Sequence, residues 1–182
     1  MFPRMFIEDM DSDNPTTIFT VGHSNITEDE FIRILRENGI ETILDVRSSP
    51  YSKYATQFNY KEIQSLLERE GIGYVYLGDS MGGKPRDPAL MKNGRPDYDA
   101  VRTTDSFRKG IQIAKTLATG SRAALMCAEE DPARCHRTIL DSPALEELGL
   151  RVLHIRHSGP PETQREALAR RPAKERQTSF EF

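Results

Sequence analysis

The sequence predicts an α/β fold with three layers, in which a mainly parallel sheet of about five strands carries helices on both faces. From residue 16 to residue 158, short apolar runs of strand length alternate with amphipathic segments of helical length. Reactive side chains follow several of these runs, and the carboxyl ends of parallel strands meet at one edge of a sheet. We take 16–158 as a single domain, 1–15 as a flexible N-terminal segment and 159–182 as an extended or disordered polar tail.

Five strands are predicted where β-branched and apolar residues cluster, over residues 16–21, 40–46, 72–77, 123–126 and 151–155. Helices are predicted between and after them, over residues 31–37, 60–70, 107–117, from 132 onward, and 143–148. Thr27 and Glu30 form a capping-box pattern ahead of the first helix. Strands that alternate with helices favour parallel pairing through crossover connections.

The composition is that of an ordinary globular chain, and it favours no single class of partner. Of 182 residues, 29% are charged, and the formal net charge is only −3, so no overall basic field points to nucleic acid or to a membrane. Since no apolar run approaches the ~18 residues of a membrane span and the start lacks a signal-like apolar core, we expect a cytoplasmic protein. Its two cysteines are expected to be thiols, because the cytosol is reducing.

One segment, residues 125–137, holds both cysteines, one histidine, three acids and two arginines. The sequence predicts a buried strand here, followed by a helix that begins with Pro132 after an Asp131 N-cap. The turn between them would place Cys127 beside a helix N-terminus, which lowers the pKa of a thiol. We therefore predict Cys127 as a catalytic nucleophile or polar lining residue and Glu129 as a catalytic acid or base.

Further candidates follow the first two predicted strands and complete the site. Asp45 is predicted as a second catalytic acid or base, or as the partner of an ion pair. The predicted ligand-binding residues are His23, Asn25, Arg47, Arg134, His136 and Arg137. Cys135 is expected to pack inside a helix, and His154 to be a hydrogen-bonded core histidine.

Four signatures together resemble the bacterial and archaeal family called domain of unknown function 488. They lie at residues 20–25, 45–53, 76–83 and 127–137, so that the resemblance spans essentially the whole predicted domain. Lys53 stands where this family usually has arginine. The resemblance implies an α/β fold and brings no established reaction with it.

The pattern around Cys127 is similar to the cysteine loops of tyrosine phosphatases and rhodaneses, but two features argue against a phosphatase. Six residues separate Cys127 from Arg134, where a phosphatase loop has five. Three acids also outnumber the two arginines of the segment, whereas a phosphate dianion needs positive charge. We expect instead an enzyme that acts on a small anionic or nucleotide-like molecule, with no cofactor identified.

Two other classes of function stay open. Cys127, Cys135, His136 and His23 offer soft ligands, but their spacing matches no common zinc motif, so no metal site is predicted. Basic residues occur in two loops, 47–60 and 84–95, and aromatic residues interleave with them in the first, which is a pattern of nucleic-acid binding. The alternative prediction is therefore a non-catalytic module that binds nucleic acid or a nucleotide.

Overall fold

The sheet has six strands in the order β3-β2-β6-β1-β7-β8, and it confirms the predicted three-layer α/β class. The computed structural model describes residues 15–172. Its strands are β1 (Thr17–Gly22), β2 (Thr42–Asp45), β3 (Gly73–Tyr76), β4 (Met91–Lys92), β5 (Arg95–Pro96), β6 (Ala123–Cys127), β7 (Arg151–His154) and β8 (Glu162–Thr163). The five predicted strands pair in parallel, while β8 is antiparallel to β7 and β4-β5 form a separate hairpin.

Seven α-helices accompany the strands within the described residues. They are α1 (Glu28–Glu37), α2 (Tyr60–Arg69), α3 (Gly78–Met81), α4 (Tyr98–Thr103), α5 (Asp105–Gly120), α6 (Ser142–Glu147) and α7 (Gln164–Ala169). The predicted cap of α1 is present, since Thr27 Oγ1 accepts a hydrogen bond from the backbone N–H of Glu30. Between residues 15 and 172, no helix is both long and apolar enough to cross a membrane.

The helix predicted from residue 132 onward is wrong. Pro132–Arg134 forms a single 3₁₀ turn, and a π-helix follows over Arg137–Asp141 before α6 begins. Cys135 is extended between them, with φ −112° and ψ 150°, and this break ends the first turn. A three-residue turn has only a small dipole, so the helix N-terminus that we predicted beside Cys127 is short.

The core lies on both faces of the sheet because side chains alternate along each strand. Phe19 points towards the helices α1 and α2, where Phe31 is fully buried. Ile18 points towards α5 and α6, and packs in the same cluster as Phe107 of α5. With both faces covered by apolar side chains, the polar groups that follow the strands gather at the carboxyl edge of the sheet.

The ordered chain continues past the boundary predicted at residue 158. Leu153 and His154 of β7 pair with β8, and α7 buries Ala167 completely. Within the tail, a short helix is predicted over Glu162–Ala169, and the structure has a strand at Glu162–Thr163 and a helix at Gln164–Ala169 there, both joined to the domain. Residues 173–182 of that tail, and residues 1–14 of the predicted N-terminal segment, lie outside the described residues.

His154 is the buried, hydrogen-bonded core histidine that we predicted. The Thr20 hydroxyl donates to its Nδ1 (2.8 Å), and its Nε2 donates to the Gln164 side-chain oxygen (2.9 Å). The Gln164 amide in turn donates to the Thr138 carbonyl at 2.7 Å. Burial lowers the pKa of His154 to about 4, so the imidazole is neutral in the folded protein.

We predict that the protein loses stability as the pH falls from 6.5 towards 4. Unfolded His154 titrates near 6.5 and the folded residue near 4, so in this range the unfolded chain binds a proton that the native chain does not. The stabilising contribution of neutral His154 is complete above pH 6.5. At pH 5, protonation of His154 in the unfolded chain lowers the free energy of unfolding by about 2 kcal/mol.

Urea denaturation at pH 7.5 and pH 5 measures this difference. His154→Gln should make the pH dependence shallower without abolishing it, because His23 has a pKa of about 4 as well. An unchanged pH dependence in His154→Gln would contradict the prediction.

We predict that Gly22→Ala is strongly destabilising. A Cβ on Gly22 would lie 1.8 Å from the carbonyl oxygen of Glu129, and backbone cannot move aside cheaply. The substitution should lower the free energy of unfolding by about 3 kcal/mol, as overpacking does. Gly120→Ala at the end of α5, where a Cβ meets no atom within 4 Å, is the control and should be neutral or slightly stabilising. Equal stability of the two variants in chemical denaturation would refute the expected close approach.

Candidate functional site

Cys127 and Cys135 lie side by side at the carboxyl end of β6. Cys127 is the last residue of this strand and is paired with Gly22 of β1. The 3₁₀ turn returns the chain to it, and the Asp131 carboxylate caps this turn by accepting from the backbone N–H of Ala133 (3.1 Å). Both cysteines are buried and are free thiols, as predicted.

Glu129 brings a carboxylate to both sulfur atoms. The Cys127 thiol donates to Glu129 Oε2 at 2.8 Å, and Cys135 Sγ lies 3.5 Å from the same oxygen. Glu129 is itself an exposed residue, whereas only 4% of Cys127 and 2% of Cys135 are exposed. The carboxylate therefore stands between the buried sulfurs and solvent.

His136 completes the group. Its Nδ1 lies 3.8 Å from Cys127 Sγ and 3.6 Å from Cys135 Sγ. We call Cys127, Glu129, Cys135 and His136 the thiol cluster. On its far side, His136 Nε2 lies 3.4 Å from a carboxylate oxygen of Asp141, which is fully buried.

The ring of His136 is held in place by close packing. A Cβ on Gly83 would lie 2.5 Å from Cγ of the imidazole, so only glycine lets this backbone rest on the ring. The Tyr98 hydroxyl donates to the Gly83 carbonyl at 3.0 Å and holds this backbone in position. The backbone at Gly83, which follows β3, thus fixes the orientation of the His136 ring, which follows β6.

Arg137 lies behind the sulfurs and is fully buried. Its Nε donates to Cys135 Sγ at 3.2 Å, and one terminal nitrogen donates to Thr20 Oγ1 at 3.0 Å. The other terminal nitrogen donates to the carbonyl of Glu129. Within residues 15–172, no carboxylate forms an ion pair with this guanidinium. Since a buried cation needs a counter-charge, Cys135 is its best-placed anionic partner.

The two thiols differ in their readiness to ionise. The adjacent Cys135 sulfur and burial raise the pKa of Cys127 well above the ordinary thiol value. Burial also opposes ionisation of Cys135, but the adjacent Cys127 thiol and the charge of Arg137 lower its pKa well below that value. When the pair carries one negative charge, the charge therefore resides on Cys135. The role of Cys127 as a nucleophile remains a prediction.

His136 and Asp141 shift each other's titration. Burial alone would lower the pKa of His136, but the Asp141 carboxylate and Cys135 raise it to about 9. Burial raises the pKa of Asp141 to about 7. Either charge alone would be costly in this interior, so the positive charge of His136 and the negative charge of Asp141 stabilise each other.

Asp45, Arg47 and His23 form a second polar group at the ends of β2 and β1. Arg47 makes two hydrogen bonds to the Asp45 carboxylate (2.9 and 2.6 Å) and donates to His23 Nε2 (3.0 Å) and to the Phe58 carbonyl (2.7 Å). Tyr74 donates to Asp45 at 2.8 Å. Burial and the Arg47 charge lower the pKa of His23 to about 4.

These contacts engage most of the donors of Arg47, whose side chain is only 7% exposed. Of the remaining predicted residues, Asn25 is exposed and accepts a bond from Gln57 (3.4 Å), and Arg134 is exposed beside Cys135. The structure therefore brings Cys127, Glu129, His136 and Arg137 into direct contact. Asn25 lies apart from this group, and the ligand-binding roles of all these residues stay predictions.

One member of this arrangement, Asp141, is not among the predicted residues. Cys135 is predicted as helix packing or as a soft metal ligand, and the structure places it against Glu129 and Arg137. The sequence does carry a signal for Asp141. This acid follows the apolar residues 139–140, which favour burial, and a buried acid requires a polar or charged partner. Its partner His136 lies five residues earlier, a spacing that an α-helix of 3.6 residues per turn does not align.

Comparison with known proteins identifies the family. The family model described as "Domain of unknown function DUF488" matches residues 27–144, which is more than half of the chain. The matched segment includes the whole thiol cluster, Asp45, Arg47 and Asp141, and it excludes His23 and Asn25. No curated protein and no solved structure matches the chain. The chain therefore belongs to the family described as domain of unknown function DUF488.

Proposed function

We propose that the protein is an enzyme with its reaction centre at the thiol cluster, and that its substrate is a small anionic or nucleotide-like molecule. The proposal rests on the Glu129 carboxylate, which lies 2.8 Å from Cys127 Sγ and 3.5 Å from Cys135 Sγ on their solvent side. A carboxylate in contact with two thiols is suited to proton transfer. A purely structural core has no need of an exposed acid at this position.

Each residue of the centre has a role in this proposal. Glu129 exchanges protons with Cys127 and with the substrate. Cys127 contributes its sulfur as a nucleophile or as a lining group, and Arg137 stabilises negative charge on Cys135 from behind. Asp45, which we predicted as a second acid or base, is bonded to Arg47, and in this proposal it supports the adjacent strand end.

Two exposed cations favour an anionic substrate. Lys84 directly follows Gly83, which packs against His136, and Arg134 directly precedes Cys135. Arg47 and Arg137 are buried and already bonded, so Lys84 and Arg134 are better placed to meet a ligand that arrives from solvent. Exposed cations near a catalytic group also raise the local concentration of anions.

The turn that carries Glu129 is held by ion pairs on its other side. Glu130 accepts two hydrogen bonds from Arg156, at 2.8 and 2.9 Å. Asp131 accepts from Arg170 at 2.8 Å. The first pair is partly buried and doubly hydrogen-bonded, and the two pairs together fix the backbone on either side of the turn. Such preorganisation favours proton transfer by Glu129, because a small displacement of a catalytic group slows a reaction strongly.

We predict that Glu129→Gln reduces turnover by about 10²-fold or more, because an amide keeps the shape of the carboxylate and cannot accept the proton. The measurement is product formation, followed by mass spectrometry and phosphorus NMR, with a panel of nucleoside mono-, di- and triphosphates and sugar phosphates. Glu62→Gln, on an exposed position of α2, is the matched control and should react like the wild type.

Ligand binding gives a second measurement with the same panel. Arg134→Ala and Lys84→Ala should weaken the thermal stabilisation that an anionic panel member confers, and neither should change the melting temperature without ligand. The proposed function would be refuted if no panel member reacts or stabilises the protein, or if Glu129→Gln turns over a substrate at the wild-type rate.

A second candidate function, binding of single-stranded nucleic acid, is favoured by one specific observation. Tyr51 and Tyr54 are 66% and 77% exposed, although large aromatic side chains are usually covered. The Lys53 amino group lies 5.1 Å from the centre of the Tyr54 ring. Exposed rings next to cations are the combination that stacks bases and contacts phosphates.

If this second candidate is right, Tyr54→Ala weakens binding by about 1–3 kcal/mol, the value of one stacked base. Fluorescence anisotropy with a labelled single-stranded oligonucleotide at low salt measures it. Ile113→Ala, an exposed apolar residue on α5, is the control. Lys53→Ala should also lessen the dependence of binding on salt. Affinity that is independent of both salt and Tyr54 would exclude this function.

A further inference from the structure

We propose that the thiol cluster binds Zn²⁺, with Cys127 Sγ, Cys135 Sγ and His136 Nδ1 as its three protein ligands and with the fourth position, on the side of Glu129, open to water or a substrate. The spacing of these residues along the chain predicted no metal site, and the inference comes from their positions in space. It goes beyond the proposed function, because binding of the ion requires no reaction.

The distances from the imidazole nitrogen to the two sulfurs agree with a tetrahedral zinc ion. Bonds of about 2.3 Å to sulfur and 2.0–2.1 Å to nitrogen and oxygen separate neighbouring ligand atoms by about 3.5–3.8 Å. His136 Nδ1 lies 3.8 and 3.6 Å from the two sulfurs, and Glu129 Oε2 lies 3.5 Å from Cys135 Sγ. The 2.8 Å between Cys127 Sγ and Glu129 Oε2 is a hydrogen-bond distance, shorter than the separation of two ligands on one tetrahedral ion. Glu129 therefore lies beside the proposed ion and is not counted among its ligands.

The ligand types agree with this ion. The donor atoms of Cys127, Cys135 and His136 all lie within 4.8 Å of one another. Two thiolates and an imidazole select zinc over magnesium or calcium, which prefer oxygen ligands. The ion and Arg137 would together bring three positive charges to two buried thiolates and the neighbouring carboxylates of Glu129 and Asp141.

The residues behind the ligands are those of a metal site. A histidine that binds a metal usually donates its other ring N–H to a carboxylate. His136 Nε2 lies 3.4 Å from Asp141, and among the described residues neither this nitrogen nor either Asp141 oxygen has a hydrogen bond of good geometry. With Nδ1 held by an ion, Nε2 would carry its hydrogen towards Asp141. Arg137 Nε donates to Cys135 Sγ and orients the second thiolate.

Burial distinguishes Glu129 from the three protein ligands. Cys127 and Cys135 are buried, and the His136 side chain is only 9% exposed. Glu129 is exposed, so the fourth position beside it is open to water or a substrate. Two cysteines and one histidine with an open fourth position form a ligand set of catalytic zinc sites. With the ion bound, Cys127 would act as a ligand, and the substrate would bind at the open position.

Metal analysis of the whole chain tests the proposal directly. Protein that has been stripped with a chelator and incubated with Zn²⁺ should retain about one zinc ion per chain after desalting. Substitution by Co²⁺ should give the visible bands of tetrahedral coordination and the near-ultraviolet charge-transfer absorption of a thiolate ligand. Zn²⁺ should also protect both cysteines from iodoacetamide in the wild-type protein, which requires no variant to fold.

Variants separate this site from adventitious binding. Cys127→Ser with Cys135→Ser should abolish the charge-transfer band and lower zinc affinity at least about 100-fold, and Asp141→Asn should lower affinity about 10–100-fold. Glu62→Gln should bind zinc like the wild type. Circular dichroism checks that each variant is folded.

The proposal is overturned if the stripped protein binds no zinc, if bound zinc leaves both thiols reactive, or if the folded double variant keeps wild-type affinity. These measurements use no substrate, so their failure would leave the proposed enzyme standing, with Cys127 available as a nucleophile. Zinc bound as expected in a protein that reacts with no panel member would refute the enzyme and keep the metal site.

Discussion

The fully buried guanidinium of Arg137 organises the carboxyl edge of the sheet. It joins three separate parts of the chain, through Thr20 on β1, the carbonyl of Glu129 after β6, and the sulfur of Cys135. A buried cation must have every donor satisfied and a negative group near it, since an unpaired buried charge is very costly. The position of Cys135 and the path of the turn through Glu129 both follow from this requirement.

The π-helix at Arg137–Asp141 explains how the His136 ring contacts the sulfurs on one side and Asp141 on the other. Its i→i+5 hydrogen bonding widens the turn, so that Asp141 comes close to His136, five residues earlier. A regular α-helix would turn that carboxylate towards another side. The irregular backbone is thus what lets His136 face the sulfurs with one nitrogen and a buried carboxylate with the other.

The sequence was sufficient for the parts of the fold that depend on local pattern. The five parallel strands and the cap at Thr27 follow from apolar runs and capping residues, and they were predicted correctly. The break at Cys135 and the π-helix depend instead on contacts with distant residues, such as Thr20 and Gly83. For the same reason the pairing of β8 with β7 was missed, because a two-residue strand has no periodicity of its own.

In the site, local reasoning predicted the ion pair of Asp45 as one alternative and misjudged the contacts of Cys135. Asp45 and Arg47 are two residues apart and pair with each other, which leaves Arg47 few donors for a ligand. Cys135 looked like packing because its partners, Arg137 and Glu129, could be placed only once the turn was known. The spacing rule for zinc motifs failed similarly, since it describes ligands on one local loop and this cluster is closed by an unusual turn.

The nucleophile and the metal ligand are alternative uses of one electrostatic arrangement. The metal site uses the thiolate that Arg137 favours at Cys135, whereas the nucleophile needs a thiolate at Cys127, whose pKa is raised. The two uses also differ at Glu129, which accepts a proton from Cys127 in one and borders the open position of the ion in the other. Every other group of the cluster is buried and fixed by packing, so the chemistry of the site is decided at this exposed carboxylate.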